Sequence, residues 1–164
     1  MSAPIKRRRD GRYAVKLDPG VRAVLVTMSE QLAPVLSPHE PMTRRLFPPA
    51  YTSQEDQAAE HDYRELVDDA LVNHHQQAFA VVTETANAEI LTESELNDWL
   101  SAVGSMRLVL GTRLDVSEDM APPPPEDPTA PEYALYELLG QLQYLLIEVL
   151  SAELPDEGRP EGDL

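Results

Sequence analysis

Apolar residues in this chain fall into four stretches with helical spacing, separated by short polar or proline-bearing segments. In the first stretch, Val21, Val24, Leu25, Met28, Leu32, Val35 and Leu36 recur mostly at steps of three and four, which gathers them on one helical face. Asp18-Pro19 stands ahead of it, a capping residue followed by the residue that suits a first helical turn. Pro34 removes a backbone donor and clashes with the turn before it, so this helix should kink or stop near residues 31–33. An irregular connector over 37–41 follows, then a loop over 44–51 whose large apolar groups should pack over one end of a bundle.

The second stretch runs from near Ser53 to about Ala88. Its apolar face centres on Tyr63, Val67, Ala70, Ala78 and Val81, widened by Leu66, Leu71 and Val82, and acids crowd its first turns, where the helix dipole favours them. The third opens with Thr92-Glu93-Ser94-Glu95, a capping box in which each end satisfies the other's free backbone donor. It buries Leu96, Trp99, Leu100, Val103, Leu110 and Leu114, with Gly111 the natural left-handed C-cap. The fourth opens with a second capping pattern, Thr129-Ala130-Pro131-Glu132, and carries Leu135, Leu138, Leu139, Leu142, Leu146, Val149 and Leu150 on one face. Residues 115–128, with four consecutive prolines from Pro122 to Pro125, read as a polyproline-type linker. The acidic segment 153–164 reads as a disordered tail.

Only the N-terminus departs from the helical period. Residues 4–9 and 12–17 are strand-length runs around Asp10-Gly11, the dipeptide that suits a type I′ turn. The fold expected is therefore mainly α: a four-helix bundle over 18–152, preceded by a short β-hairpin over 1–17, in a single domain.

Charge sharpens this picture. The 164 residues hold 29 acids and 13 basic residues, a net charge of −16. Six of the basic residues (Lys6, Arg7, Arg8, Arg9, Arg12 and Lys16) sit in the hairpin against Asp10 alone, giving it +5; seven basic residues against 28 acids leave −21 for the rest. A protein coating nucleic acid through overall positive charge is excluded, and only a local grip remains. Arg7, Arg8, Arg9 and Arg12, with Lys6 beside them and Tyr13 to stack on a base or sugar, are the candidate nucleic-acid or partner contact. The competing reading is a positive strand pair docked on its own acidic bundle, or an edge strand protected by charge.

Two polar residues fall on apolar faces. Arg107 lies near the centre of the third helix's arc, and His74 near the centre of the second's; with Arg113 they form a candidate buried polar cluster. Each reads either as a structural group satisfied inside the core or, for Arg107, as a site for an anion or a partner's carboxylate, with Glu132 and Asp56 as possible partners within the chain. His75, a step of about 100° around from His74, should meet solvent. Adjacent histidines diverge on a helix, so they make a poor metal pair, and neither a metal nor another cofactor is expected. Cysteine is absent, which excludes thiolate clusters, a cysteine nucleophile and thiol redox chemistry in this chain. There is no Gly-x-Ser-x-Gly elbow, phosphate loop or dinucleotide fingerprint, so the expectation is a protein that is not an enzyme. No apolar run nears the ~18 residues of a membrane span, and no signal peptide opens the chain, which makes the cytoplasm the default location.

Three segments, Arg45-Leu46-Phe47-Pro48-Pro49-Ala50-Tyr51, Trp99-Leu100 through Arg107-Leu108-Val109-Leu110-Gly111-Thr112-Arg113-Leu114, and Tyr136-Glu137-Leu138-Leu139-Gly140-Gln141-Leu142-Gln143, resemble in order and spacing an actinobacterial family, domain of unknown function 2017. The resemblance covers most of residues 12–150. It implies a small helical regulatory protein of the cytoplasm, since members are described as oxidative-stress transcriptional regulators whose genes neighbour that of the ClpS adaptor. Partners so implied are a sigma factor, RNA polymerase or promoter DNA, with Clp components as the alternative and Arg45, Leu46, Phe47 and Tyr51 as a candidate partner patch for the latter. Thiol-based sensing does not carry over to a chain without cysteine, and Pro34 interrupts a helix expected to be continuous. Homodimers remain open, because amphipathic bundles pair readily.

Overall fold

A computed structural model of the chain describes residues 3–37, 39–47, 57–117 and 121–152, with the side chains of 57, 60 and 63–66 outside that description. It has the expected order of four helices behind a hairpin: β1 (Ile5–Arg7), β2 (Tyr13–Val15), α1 (Pro19–Leu32), α2 (Gln57–Thr85), β3 (Ile90–Leu91), α3 (Glu93–Leu114) and α4 (Ala130–Ser151). The tail over 153–164 and Tyr51 lie outside the described residues.

Four sequence expectations are corrected in detail. The hairpin gains a third strand, antiparallel to β2 with Tyr13 opposite Leu91 and Ala14 opposite Ile90. Its turn is not type I′, because only Gly11 has positive φ (83°); Gly11 N–H donates to Arg8 O and Arg8 N–H to Arg12 O, so Arg9-Asp10 form a turn closed by a left-handed glycine bulge. Gly111 is interior to α3; the left-handed C-cap falls at Asp115 (φ 51°), where Val116 N–H reaches Gly111 O and Asp115 N–H reaches Thr112 O in a Schellman pattern. Thr129 does not cap α4 with its side chain; its hydroxyl and backbone N–H instead donate to Asp127 Oδ1 at 2.7 and 2.8 Å, which tightens the turn before the helix. The Thr92–Glu95 box forms as the spacing requires, in both directions.

Pro34 acts as its chemistry demands: α1 ends at Leu32 and a 3-10 turn over Ala33–Val35 follows. The buried Thr43 hydroxyl then clips the connector, donating to Ser37 O at 2.9 Å and accepting from Ser37 N–H. At the centre of the core, Trp99 is fully buried among Leu25, Phe79, Val82, Leu91, Leu96, Val103, Met106 and Leu146. Its indole N–H donates to Thr85 Oγ1 at 2.7 Å, fastening α3 to the end of α2. The inward strand residues Ile5, Tyr13, Val15 and Leu91 belong to the same core, so the sheet is one wall of the bundle.

Candidate functional site

Strand alternation decides which hairpin residues can meet a partner. Tyr13 and Val15 point inward and are essentially inaccessible. Tyr13 therefore cannot stack on a base, which corrects its place in the candidate contact. The opposite face carries Lys6, Ala14 and Ile90 in register across the three strands. Lys6, Arg7, Arg9, Arg12 and Lys16 are exposed and Arg8 is half-buried. Asp10 gathers the tip: its carboxylate accepts from the Arg12 backbone N–H at 3.0 Å, meets the Arg12 guanidinium at 3.0 Å and lies 3.3 Å from Arg8. The backbone hydrogen bond, followed by the side-chain bond and the nearby positive charges, holds Asp10 below the usual carboxylate range. Two shallow concavities mark this face, one of about 560 Å³ among Lys6, Arg7, Arg8, Arg9, Asp10 and Ala14. The other, of about 600 Å³, runs past Ala14 and Ile90 between Arg8, Lys16 and Glu89.

A residue that helical periodicity does not reveal ties this face to the bundle. Arg22, one step from Val21 on α1, is 9% exposed and inserts between the sheet and the bundle. Its Nη1 donates to Ala86 O at 2.6 Å and Ala88 O at 2.9 Å, Nη2 to Val15 O at 3.0 Å, and Nε to Leu17 O at 3.2 Å. One planar guanidinium thus ties β2, the start of α1 and the corner after α2, satisfying carbonyls that helix and strand ends leave without partners. The only advance signal was an arginine at a position where i+3 and i+7 are Leu25 and Ser29, both buried.

The proposed buried cluster of Arg107, His74 and Arg113 does not assemble. His74 is exposed, and His75 takes the half-buried place instead. The cause is a wheel set a quarter turn off: Ala70 is exposed, whereas Phe79 and Val82 are buried and pull the true face toward His75. His75 Nε2 lies 3.4 Å from Leu46 O, Nδ1 3.5 Å from Ser105 Oγ, and its ring meets Phe47 edge-on. Burial lowers its pKa below the ordinary histidine value; the Leu46 carbonyl opposes this, and the charge of His74 adds to it. Arg113 is largely exposed and pairs with Glu132 at 2.9 Å. Leu46 and Phe47 are buried at the bundle end, so neither offers a docking surface, while Arg45 is exposed.

Arg107 is half-buried at the α3–α4 contact, on the flank of its helix and not at the centre of its face. Its guanidinium lies 4.9 Å from the centre of the Tyr136 ring and Nη1 donates a long 3.4 Å bond to Gln143 Oε1, while Nε is buried with no partner among the described residues. The side chain crosses α4 at Gly140, where a Cβ would stand 3.2 Å from Nε. Gly104 and Gly111 similarly admit Gln143 and Tyr136. Sequence reading found Arg107 but not the glycine-lined crossing that makes room for it.

Fold and surface together define a helical bundle that presents a braced, basic three-stranded sheet. The chain belongs to the family Domain of unknown function (DUF2017), which it matches over residues 1–150. Oxidative stress regulator AosR from Mycobacterium tuberculosis (strain ATCC 25618 / H37Rv) is 31% identical over 133 residues, covering 69% of this chain and 59% of the relative. The protein of the same name from Mycobacterium bovis aligns to the same extent. The chain thus spans about three fifths of the length of these curated relatives. No solved structure matches it. No helix among the described residues is long and apolar enough to cross a membrane.

Proposed function

We propose that this protein is a non-enzymatic regulator of the cytoplasm that acts in transcription by contacting a sigma factor, RNA polymerase or a promoter complex through the outward face of its sheet. One observation carries the reading: six of the 13 basic residues cluster on and around a hairpin whose inner face is core and whose attachment is braced by Arg22. A rigid cationic platform on an otherwise acidic body suits an acidic protein surface, and its low-lying neighbours Ala14 and Ile90 supply an apolar floor. Promoter DNA is a secondary contact, because the −21 borne by the rest of the chain repels phosphates within a Debye length of about 8 Å. The regulatory name of the mycobacterial relatives supports the same reading.

Cross-linked affinity capture from the native host tests it, comparing the wild type with the double variant Lys6→Glu/Arg9→Glu. These two residues are chosen because they are exposed and outside the Asp10 ion pairs. Recovery of RNA polymerase or a sigma factor by the wild type alone is the expected outcome. Recovery of Clp protease components equally by both proteins would replace the proposal with an adaptor role in regulated proteolysis.

A further inference from the structure

A second cationic site lies at the other end of the bundle, away from the sheet. The turn over Arg44–Leu46 packs on α3, and between it, α3 and α4 opens a cleft of about 290 Å³ lined by Arg45, Gly104, Arg107, Gly111, Tyr136 and Gln143. Two arginines thus border one small cleft, and no carboxylate is among its described lining residues, in a chain carrying −16. Neither arginine has a carboxylate partner among the described residues, whereas the nearby Arg113 is already paired with Glu132. A half-buried guanidinium supported by one long hydrogen bond and a ring face is incompletely satisfied.

We propose that this cleft binds a small carboxylate attached to an apolar body, with Arg45 and Arg107 gripping the carboxylate. Several features select that chemistry. Guanidinium groups match planar carboxylates through paired N–H donors. Gln143 turns Oε1 to Arg107 and leaves its amide nitrogen over Gly104, a further donor on the same wall. Leu108, Val116 and the Tyr136 ring give this otherwise polar cleft an apolar rim on which a small hydrocarbon or aromatic body can rest. A phosphate is less well served, since both glycines lie inside α3 and offer no free backbone donors of the kind a phosphate loop supplies. The larger groove of about 720 Å³ on the other side of Arg107 is a weaker host for an anion because Glu137 lines it.

The test is a titration of the full chain with benzoate, followed by amide and arginine Nε–H resonances, with benzamide and inorganic phosphate as comparison ligands. Saturable shifts at Gly104, Gly111 and Arg107 are expected with benzoate, at a dissociation constant of about 1 mM for so small a ligand. Arg45→Gln, an exposed substitution that leaves the core intact, should weaken benzoate by about fivefold, and Arg107→Met should abolish the response. Equal shifts with benzamide would show an apolar cavity only, tighter binding of phosphate would overturn the carboxylate assignment, and no saturable shift would overturn the site.

Discussion

Arg22 shows how much of a fold one side chain can hold. Its four carbonyl acceptors come from β2, the connector between β2 and α1, and the corner after α2, the last of these more than 60 residues away along the chain. A lysine has a single nitrogen at the end of a flexible stem and cannot span these acceptors, so Arg22→Lys should lower stability by about 2–3 kcal/mol in urea unfolding. A loss within about 0.5 kcal/mol, the range of ordinary surface changes, would show the bonds to be incidental. This residue was illegible in the sequence for a physical reason. Helical periodicity reports apolar positions, while Arg22 occupies a core-facing position by satisfying carbonyls brought there by the tertiary fold. His75 was misread for a related reason, since small or weakly apolar residues such as Ala70 set the wheel and Phe79 was left off it. Because its pKa is lowered in the folded state, the unfolded chain binds more protons between the folded value and the ordinary value near 6.5. Its contribution to stability is therefore present above about pH 6.5 and lost as pH falls through that window. His75→Gln should flatten the slope of stability against pH there relative to wild type; an unchanged slope would exclude His75 as its source.

Elements were far more legible than the contacts between them. The capping box of α3, the proline stop of α1 and the leucine face of α4 are local patterns, and each appears where its spacing requires. β3 was missed because two residues carry no period, and its pairing with β2 depends on how the corner after α2 returns. The end of α3 moved from Gly111 to Asp115 because Gly111 is needed inside the helix, where the Tyr136 ring would lie 3.2 Å from a Cβ. Asp115 consequently holds a left-handed conformation that glycine accepts more readily, and places a negative charge at the unfavourable end of the helix dipole. Asp115→Gly should raise stability by about 0.5–1 kcal/mol in thermal or urea unfolding. A decrease would mean that the aspartate makes a compensating interaction in the folded protein.

At the scale of the whole molecule, charge is separated along the chain and the fold preserves that separation on its surface. The hairpin's +5 was plain in the sequence, and the expectation that these residues form a contact surface becomes a specific face once Tyr13 is seen to be core. What could not be read was its bracing, which seats the hairpin on the bundle as a platform with Lys6, Ala14 and Ile90 across its strands. The most direct test of the regulatory proposal is the affinity of purified protein for RNA polymerase holoenzyme, measured by fluorescence anisotropy over a range of salt concentrations, for wild type and Lys6→Glu/Arg9→Glu. Salt-sensitive binding is expected for the wild type, weakened at least about tenfold in the variant, equivalent to roughly 1.4 kcal/mol, with a flatter salt dependence. Binding of equal strength and equal salt dependence by both proteins would contradict it.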